Sequence, residues 1–379
     1  MTSPFQEAAI ALRAALNDAS RGLVDRETLV ELVALCAVAG EHLLVIGPPG
    51  TAKSEAVRRV SRALGGRYFE YLLGRFTEPS EIFGPVDLRR LREGIVETQV
   101  SGMLPEAEIA FLDEVFLGST AILNTLLALL NERTFRRGHT TLQVPLRVCV
   151  GASNALPEEE SLAAFADRFL VRLFVGPIPD PRLEELLEGG WSLLTRPTTA
   201  EASITQLDIL ATAAREADLV PVRARLAQAL RKLRGAGIAL TDRRAVKIQR
   251  LVAAAAVLAG RANPTQADLW PILYALPTAE AQTLAREVLR DLLAPSENAA
   301  LSAAAADASL GPLARAARLV LAADGALGER PETAEGLEGW RLRLEGIARE
   351  IDAGFAVDNL PEDLRTARGR IVDAIGRAA

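Results

Sequence analysis

The chain has 379 residues, 49% of them hydrophobic and 24% charged, a globular balance in a length that predicts two or three domains rather than one core. A net charge of −6 argues against general nucleic-acid binding, while two cysteines in apolar runs (Cys36, Cys149) and two histidines (His42, His139) supply neither a disulfide framework nor a metal site of usual spacing. No apolar run approaches the ~20 residues of a membrane span and the N-terminus does not read as a signal peptide, so a cytoplasmic protein is expected.

Aromatics are only 4% of the chain, whereas Ala and Leu are abundant, which predicts that helices dominate. Residues 5–16 and 26–39 carry helical apolar spacing, with Gly22 breaking the first helix and Asp25 placed to cap the second. Between them GLVDRE reads as a short polar linker.

The stretch EHLLVIGPPGTAKSE (41–55) reads as a buried strand, a Gly/Pro loop and the opening of a helix at Lys53. It fits G-x-x-x-x-G-K-[ST] except that Ala52 replaces the last glycine. Gly47, Pro48, Pro49, Gly50, Thr51 and Ala52 form a loop whose N–H groups can wrap phosphate oxygens at a helix N-terminus. Lys53 would neutralise the β- and γ-phosphates of a nucleoside triphosphate, and the Ser54 hydroxyl would ligate Mg²⁺.

A helix to Leu64, a strand over 67–73 and a short helix from 77 to Gly84-Pro85 are expected next, then a charged hairpin over 86–100 turning at Glu93-Gly94. The strand read over 108–114 is apolar from Ile109 to Leu112 and ends in Asp113-Glu114, adjacent carboxylates whose repulsion needs a reason. Beside a phosphate loop, Asp113 would order Mg²⁺ and Glu114 would polarise the attacking water. An amphipathic helix capped by Ser119, a hairpin over 132–144 and a buried strand over 146–153 lead to Asn154. Its amide can orient the attacking water or contact the γ-phosphate, or it is an ordinary turn residue before Pro157. After a short helix over 158–167, Arg168 is either a surface arginine or a finger supplied in trans to a neighbour's γ-phosphate, and a buried strand over 170–175 with Arg172 inside it follows.

Five buried strands separated by helices or hairpins predict a parallel α/β sheet with ligands at its carboxyl edge. The Pro-rich run 176–181 ends it as a rigid linker. From 182 to 276 the reading is all helix, broken at Gly189-Gly190, Arg196-Pro197, 218–221, 235–237 and Asn263-Pro264. Thr241-Asp242 caps a helix whose first turn carries Arg243 and Arg244, cations that call for a bound phosphate or an acidic partner. Residues 279–379 are helical, with breaks at Pro295, Gly311-Pro312, 325–331 and 359–361, and their charged faces suit a small bundle or a partner surface.

The ordered segments GPPGTAKS, FTEPSEIFGPVDL, LPEAEIAFLDEVF, AILNTLLALLNERTF, VGASNALPE and ADRFLVRL together resemble the MoxR branch of AAA+ ATPases and, within it, the RavA-like proteins. The resemblance spans about residues 10–276. It implies an α/β P-loop core (1–178) with strand order 5-1-4-3-2, an all-α lid (182–276) and a further helical region (279–379). By that resemblance 47–54 are Walker A, Asp113 and Glu114 Walker B, Asn154 sensor 1, Arg168 the arginine finger, and Arg244, preferred on register, or else Arg243 sensor 2, while GLVDRE flanks the adenine. It further implies hexameric rings, a von Willebrand A-domain adaptor and a protein client. The ATPase subunit of a metal-chelatase-type complex shares this core, and a nucleic-acid motor is a third, less fitting reading. The β-rich partner-binding insertion of RavA-like proteins has no counterpart in the C-terminal region.

Overall fold

The computed structural model describes residues 3–178, 180–195, 202–331, 334–354 and 360–376. Its centre is a five-stranded parallel sheet of β1 (Leu43–Ile46), β2 (Tyr68–Leu72), β3 (Ile109–Asp113), β6 (Val148–Ser153) and β7 (Val171–Phe174). The hairpin strands β4 (Thr134–Arg137) and β5 (Thr140–Gln143) lie between β3 and β6 in sequence and pair only with each other. The order is β2-β3-β6-β1-β7, which is 5-1-4-3-2 once the hairpin is set aside and the sheet is read from its other edge. β1 and β6 are buried along their whole length, as strands covered on both faces must be.

Successive side chains alternate between two cores. Leu43, Val45, Ile109, Phe111, Val148 and Val150 face α1 (Pro4–Ser20), α2 (Glu27–Ala39) and α3 (Lys53–Leu64). Leu44, Ile46, Ala110, Leu112 and Cys149 face the opposite core, which holds Phe83 of α4 (Pro79–Phe83), buried leucines of α6 (Thr120–Glu132), Phe135 of the hairpin and Phe165 of α7 (Glu160–Ala166).

Helical segments follow: α8 (Leu183–Thr195), α9 (Ile204–Glu216), α10 (Val220–Gly235), α11 (Asp242–Leu258), α12 (Ala279–Val288) and α13 (Arg290–Leu293). Buried residues of α9 to α13 are continuous with the α1–α2–α3 side of the sheet. The 27-residue α14 (Ser302–Gly328) begins in that core through Ala304, Ala305 and Ala308. Its far half joins α15 (Ala334–Gly354) and α16 (Glu362–Gly376) in a separate bundle around Trp340, Leu344, Ile347, Leu364 and Ile371.

Four local expectations are corrected. Residues 86–100 are not a hairpin: Asp87 accepts hydrogen bonds from the N–H groups of Arg89 and Arg90 and nucleates the short helix α5 (Leu88–Arg92), leaving one bridge, Val86 to Thr98. Asp25 is not the cap of α2; Arg26 stands there, and the Asp25 carboxylate takes Arg182 at 2.7 Å. Gly189-Gly190 does not break α8, because Gly189 serves a close approach in which a Cβ would lie 2.6 Å from the Gly22 carbonyl oxygen. α14 runs on through Gly311-Pro312, since packing in two cores outweighs local propensity. The expected break at Arg196-Pro197 and the first residue of that at 359–361 lie outside the described residues, while Leu360 and Pro361 stand outside any helix just before α16.

Candidate active site

The phosphate loop leaves β1 at Ile46, where Gly47 donates its N–H to the Ser153 carbonyl at 3.0 Å. A side chain at Gly47 would place its Cβ 2.3 Å from the Val175 carbonyl oxygen, so glycine is needed to let the loop pass β7. Gly50 (φ +77°) and Ala52 (φ +56°) are both left-handed. The alanine standing in the pattern's glycine position therefore adopts the conformation a glycine would, at a cost of about 1–2 kcal/mol. Pro48, Pro49 and Gly50 are exposed, and the Thr51 hydroxyl closes the loop by donating to the Pro48 carbonyl at 2.9 Å.

Lys53 opens α3 and is 7% exposed. Its ammonium donates to the carbonyls of Gly47 (2.8 Å) and Pro48 (2.9 Å). Burial lowers its pKa, while Asp113 and Glu114 act in the opposite direction, so both carboxylates share its electrostatic surroundings. Ser54 follows in the first helical turn, half-buried.

Asp113 closes β3 and Glu114 leaves it in a left-handed conformation (φ +48°). Oδ1 of Asp113 accepts the Glu114 N–H at 3.0 Å, and Oε1 of Glu114 accepts the Asn154 side-chain amide at 2.7 Å. Parallel registers Ile46 to Ser153 and Leu112 to Gly151 put Gly47, Asp113, Glu114 and Asn154 on the carboxyl edge together. Ser54 and Asp113 are hard oxygen donors, two protein ligands of the kind that hold Mg²⁺ alongside phosphate and water.

The arginines fall elsewhere. β7 runs parallel to β1, with Val171 opposite Leu43, so Arg168 lies at the amino edge. At ~3.3 Å per residue, Leu170 is roughly 13 Å along the strand from the Phe174 end beside the loop. Arg168 Nε is buried without an acceptor among the described residues. Arg244 is 3% exposed and meets that same amino edge. Its guanidinium donates to the Asp167 carboxylate (2.6 Å) and carbonyl (3.3 Å), to the carbonyls of Phe169 (3.4 Å) and Leu170 (2.6 Å), and to that of Ala275 (3.1 Å). In this structure the donors of Arg244 go to protein groups, Asp167 among them, at the edge opposite the 47–54 loop of the same chain. Arg243 is exposed and donates to the Asn131 side chain. Arg172, next to the expected finger, is buried in β7 and donates to the Pro277 carbonyl; burial beside Arg244 pulls its pKa down to about 10.

By resemblance GLVDRE is expected beside the adenine, but the contact that Arg26 makes with the 47–54 loop was not foreseen. Arg26 is 4% exposed, and its Nε donates to the Thr51 carbonyl of the phosphate loop at 2.7 Å. The linker-like composition of GLVDRE concealed this, since nothing in local spacing announces a contact with a loop 25 residues away. Also unforeseen is Glu41, 1% exposed, which binds Lys247 (2.5 Å) and Arg250 (3.0 Å) of α11.

Among the described residues no cluster of three or more His, Cys, Asp or Glu is arranged to hold a metal ion, and no helix is long and apolar enough to cross a membrane. Residues 10–213 match the family model described as the MoxR domain in the MoxR-vWA-beta-propeller ternary systems. Two uncharacterized proteins of Methanocaldococcus jannaschii are 36% and 35% identical over 248 and 250 residues. Those matches take in 65% of this chain in each case and 64% and 66% of the relatives' lengths, just under two thirds. The chaperone MoxR1 of Mycobacterium tuberculosis is 28% identical over 184 residues, 47% of this chain and 48% of its own. A solved structure of a candidate ATPase from Cytophaga hutchinsonii superposes with a TM-score of 0.62 at 14% identity, over 78% of this chain and 97% of that one, a likeness of fold.

Proposed function

The chain belongs to the MoxR family of AAA+ ATPases, and on that footing we propose that it binds and hydrolyses ATP between neighbouring copies of itself to remodel a protein client. The observation that carries this reading is the meeting of Lys53, Asp113, Glu114 and Asn154 at one sheet edge, with Glu114 and Asn154 joined at 2.7 Å.

On this reading the loop N–H groups of 47–54 and the N-terminus of α3 bind the phosphates, and Lys53 exchanges its two carbonyl acceptors for phosphate oxygens. Ser54 and Asp113 hold Mg²⁺, which when bound neutralises phosphate charge. Glu114 takes the proton of the attacking water, and Asn154 fixes the carboxylate that does so. Arg168 lies at the opposite edge of its own sheet, which supports a role in trans on the next copy's γ-phosphate. Of the two sensor candidates, exposed Arg243 suits a phosphate contact and buried Arg244 suits holding α11 to the core. Head-to-tail contacts of this kind close into rings, taken here as hexameric.

The division into core (1–178), lid (182–276) and C-terminal region (279–379) follows the same reading. A von Willebrand A-domain partner is supported by the description of the matching family model, whereas placement beside the RavA-like proteins rests on the motifs alone. The test is ligand-induced thermal stabilisation. ATP should raise the melting temperature of the wild type and leave that of Lys53→Ala unmoved, since only binding to the native state stabilises it. An equal rise in both proteins would refute the site.

A further inference from the structure

Arg26 makes three hydrogen bonds to three separate segments, and none of the acceptors is charged. Nε donates to the Thr51 carbonyl in the phosphate loop (2.7 Å), Nη1 to the Asp25 carbonyl (2.7 Å) and Nη2 to the Gly176 carbonyl just beyond β7 (2.8 Å). The carboxylate beside it, Asp25, is bound by Arg182 at 2.7 Å. Burying a guanidinium on neutral acceptors is costly, and burial duly lowers its pKa. Its positive charge is felt by Lys53, whose own pKa it helps to depress. Two cations are thus held beside one loop.

The geometry points to Arg26 as a positioning residue for phosphate binding. In a trans peptide the N–H of Ala52 is opposite to the C=O of Thr51, so anchoring that carbonyl on Arg26 fixes the direction of the next N–H. It also fixes the plane preceding Ala52, the residue whose left-handed backbone the loop must sustain without a glycine. The Thr51 hydroxyl on Pro48 holds the same turn from inside. Arg26 therefore sets the loop's donors in place before an anion arrives and adds positive potential to the anion's seat. The bond to Gly176 ties the loop to the chain leaving the sheet.

This proposal rests on the nucleotide reading above, and its test separates the two. Binding of a fluorescent ATP analogue and of ADP is titrated on the full chain for wild type, Arg26→Gln, Arg26→Lys and Arg182→Gln, together with steady-state ATPase kinetics. Arg26→Gln should bind about 10- to 100-fold more weakly, the order of loss expected from a sub-ångström to 1 Å misplacement of binding groups. Its KM should rise in step while kcat at saturation stays within about threefold, the pattern of lost ground-state binding. Arg26→Lys, which keeps the charge and loses the three-way fork, should fall between wild type and Arg26→Gln. Arg182→Gln breaks the Asp25 pair in the same segment without touching the loop, and should bind as wild type. Wild-type affinity in Arg26→Gln, or an equal loss in Arg182→Gln, would overturn the proposal alone. A folded Arg26→Lys that binds as wild type would overturn it even if Arg26→Gln does not fold. A wild type that binds no nucleotide would overturn the nucleotide reading and this proposal with it.

Discussion

Replacing Arg244 by Gln distinguishes an arginine that holds the protein together from one that serves a nucleotide. In the native state its guanidinium makes five hydrogen bonds, two of them 2.6 Å long, to Asp167 and Leu170. A glutamine is shorter and brings two donors, so several carbonyls and one carboxylate lose their partner. Summing about 1.5–3 kcal/mol for each charged hydrogen bond would overshoot, because the bonds share one side chain. Breaking a buried pair costs about 3–5 kcal/mol, and Asp167, a third exposed, recovers some hydration, so about 3 kcal/mol is the better figure. At roughly 2 °C per kcal/mol for a large domain, the melting temperature should fall by about 6 °C. Calorimetry without nucleotide reads this directly. A variant within about 1 °C of wild type, yet impaired in ATP hydrolysis, would refute the clamp and restore Arg244 to the phosphate.

Two other outcomes follow from buried or strained groups. Glu31 of α2 accepts the N–H groups of Ala303 (3.1 Å) and Ala304 (2.7 Å) at the start of α14, and burial pushes its pKa up to about 7 from the ordinary carboxylate range. The folded state then holds a proton that the unfolded state releases. Glu31 thus contributes stability fully present below pH 4.5 and lost as pH rises to about 7. Across that window Glu31→Gln should show a flatter melting-temperature profile than wild type, and parallel profiles would contradict the assignment. Ala52→Gly should relieve about 1–2 kcal/mol of left-handed strain against about 0.5–1 kcal/mol of added chain entropy, leaving stability equal or slightly higher. A clear drop in melting temperature would mean the alanine methyl group is needed.

The meeting of Lys53, Asp113, Glu114 and Asn154 at one sheet edge was legible because local pattern and chemistry coincide there. A strand, a Gly/Pro loop and a lysine at a helix start are contiguous in sequence, and two adjacent carboxylates at a strand end stand out by their repulsion. The parallel sheet followed from short apolar runs of strand length. The docking of α11 was not legible, because which sheet edge receives Arg244 depends on tertiary packing through α1 and α2 rather than on spacing within the helix. Arg26 hid for a similar reason: its acceptors are backbone carbonyls, which leave no trace in residue type. At 86–100 the Asp87 cap and the pairing of Arg90 with Glu93 and Glu97 outweighed the alternation that suggested strands. Gly189 shows the converse error, a glycine read as a break that instead permits contact with Gly22.

The central claim, that Glu114 activates water at a nucleotide site built on Lys53, is tested most directly by phosphate release from ATP in Glu114→Gln. That variant keeps the shape of the side chain and loses its basicity. ATP should still raise its melting temperature, while turnover should fall by about 10²- to 10⁴-fold, the usual contribution of a positioned general base. Turnover within about threefold of wild type would contradict the account.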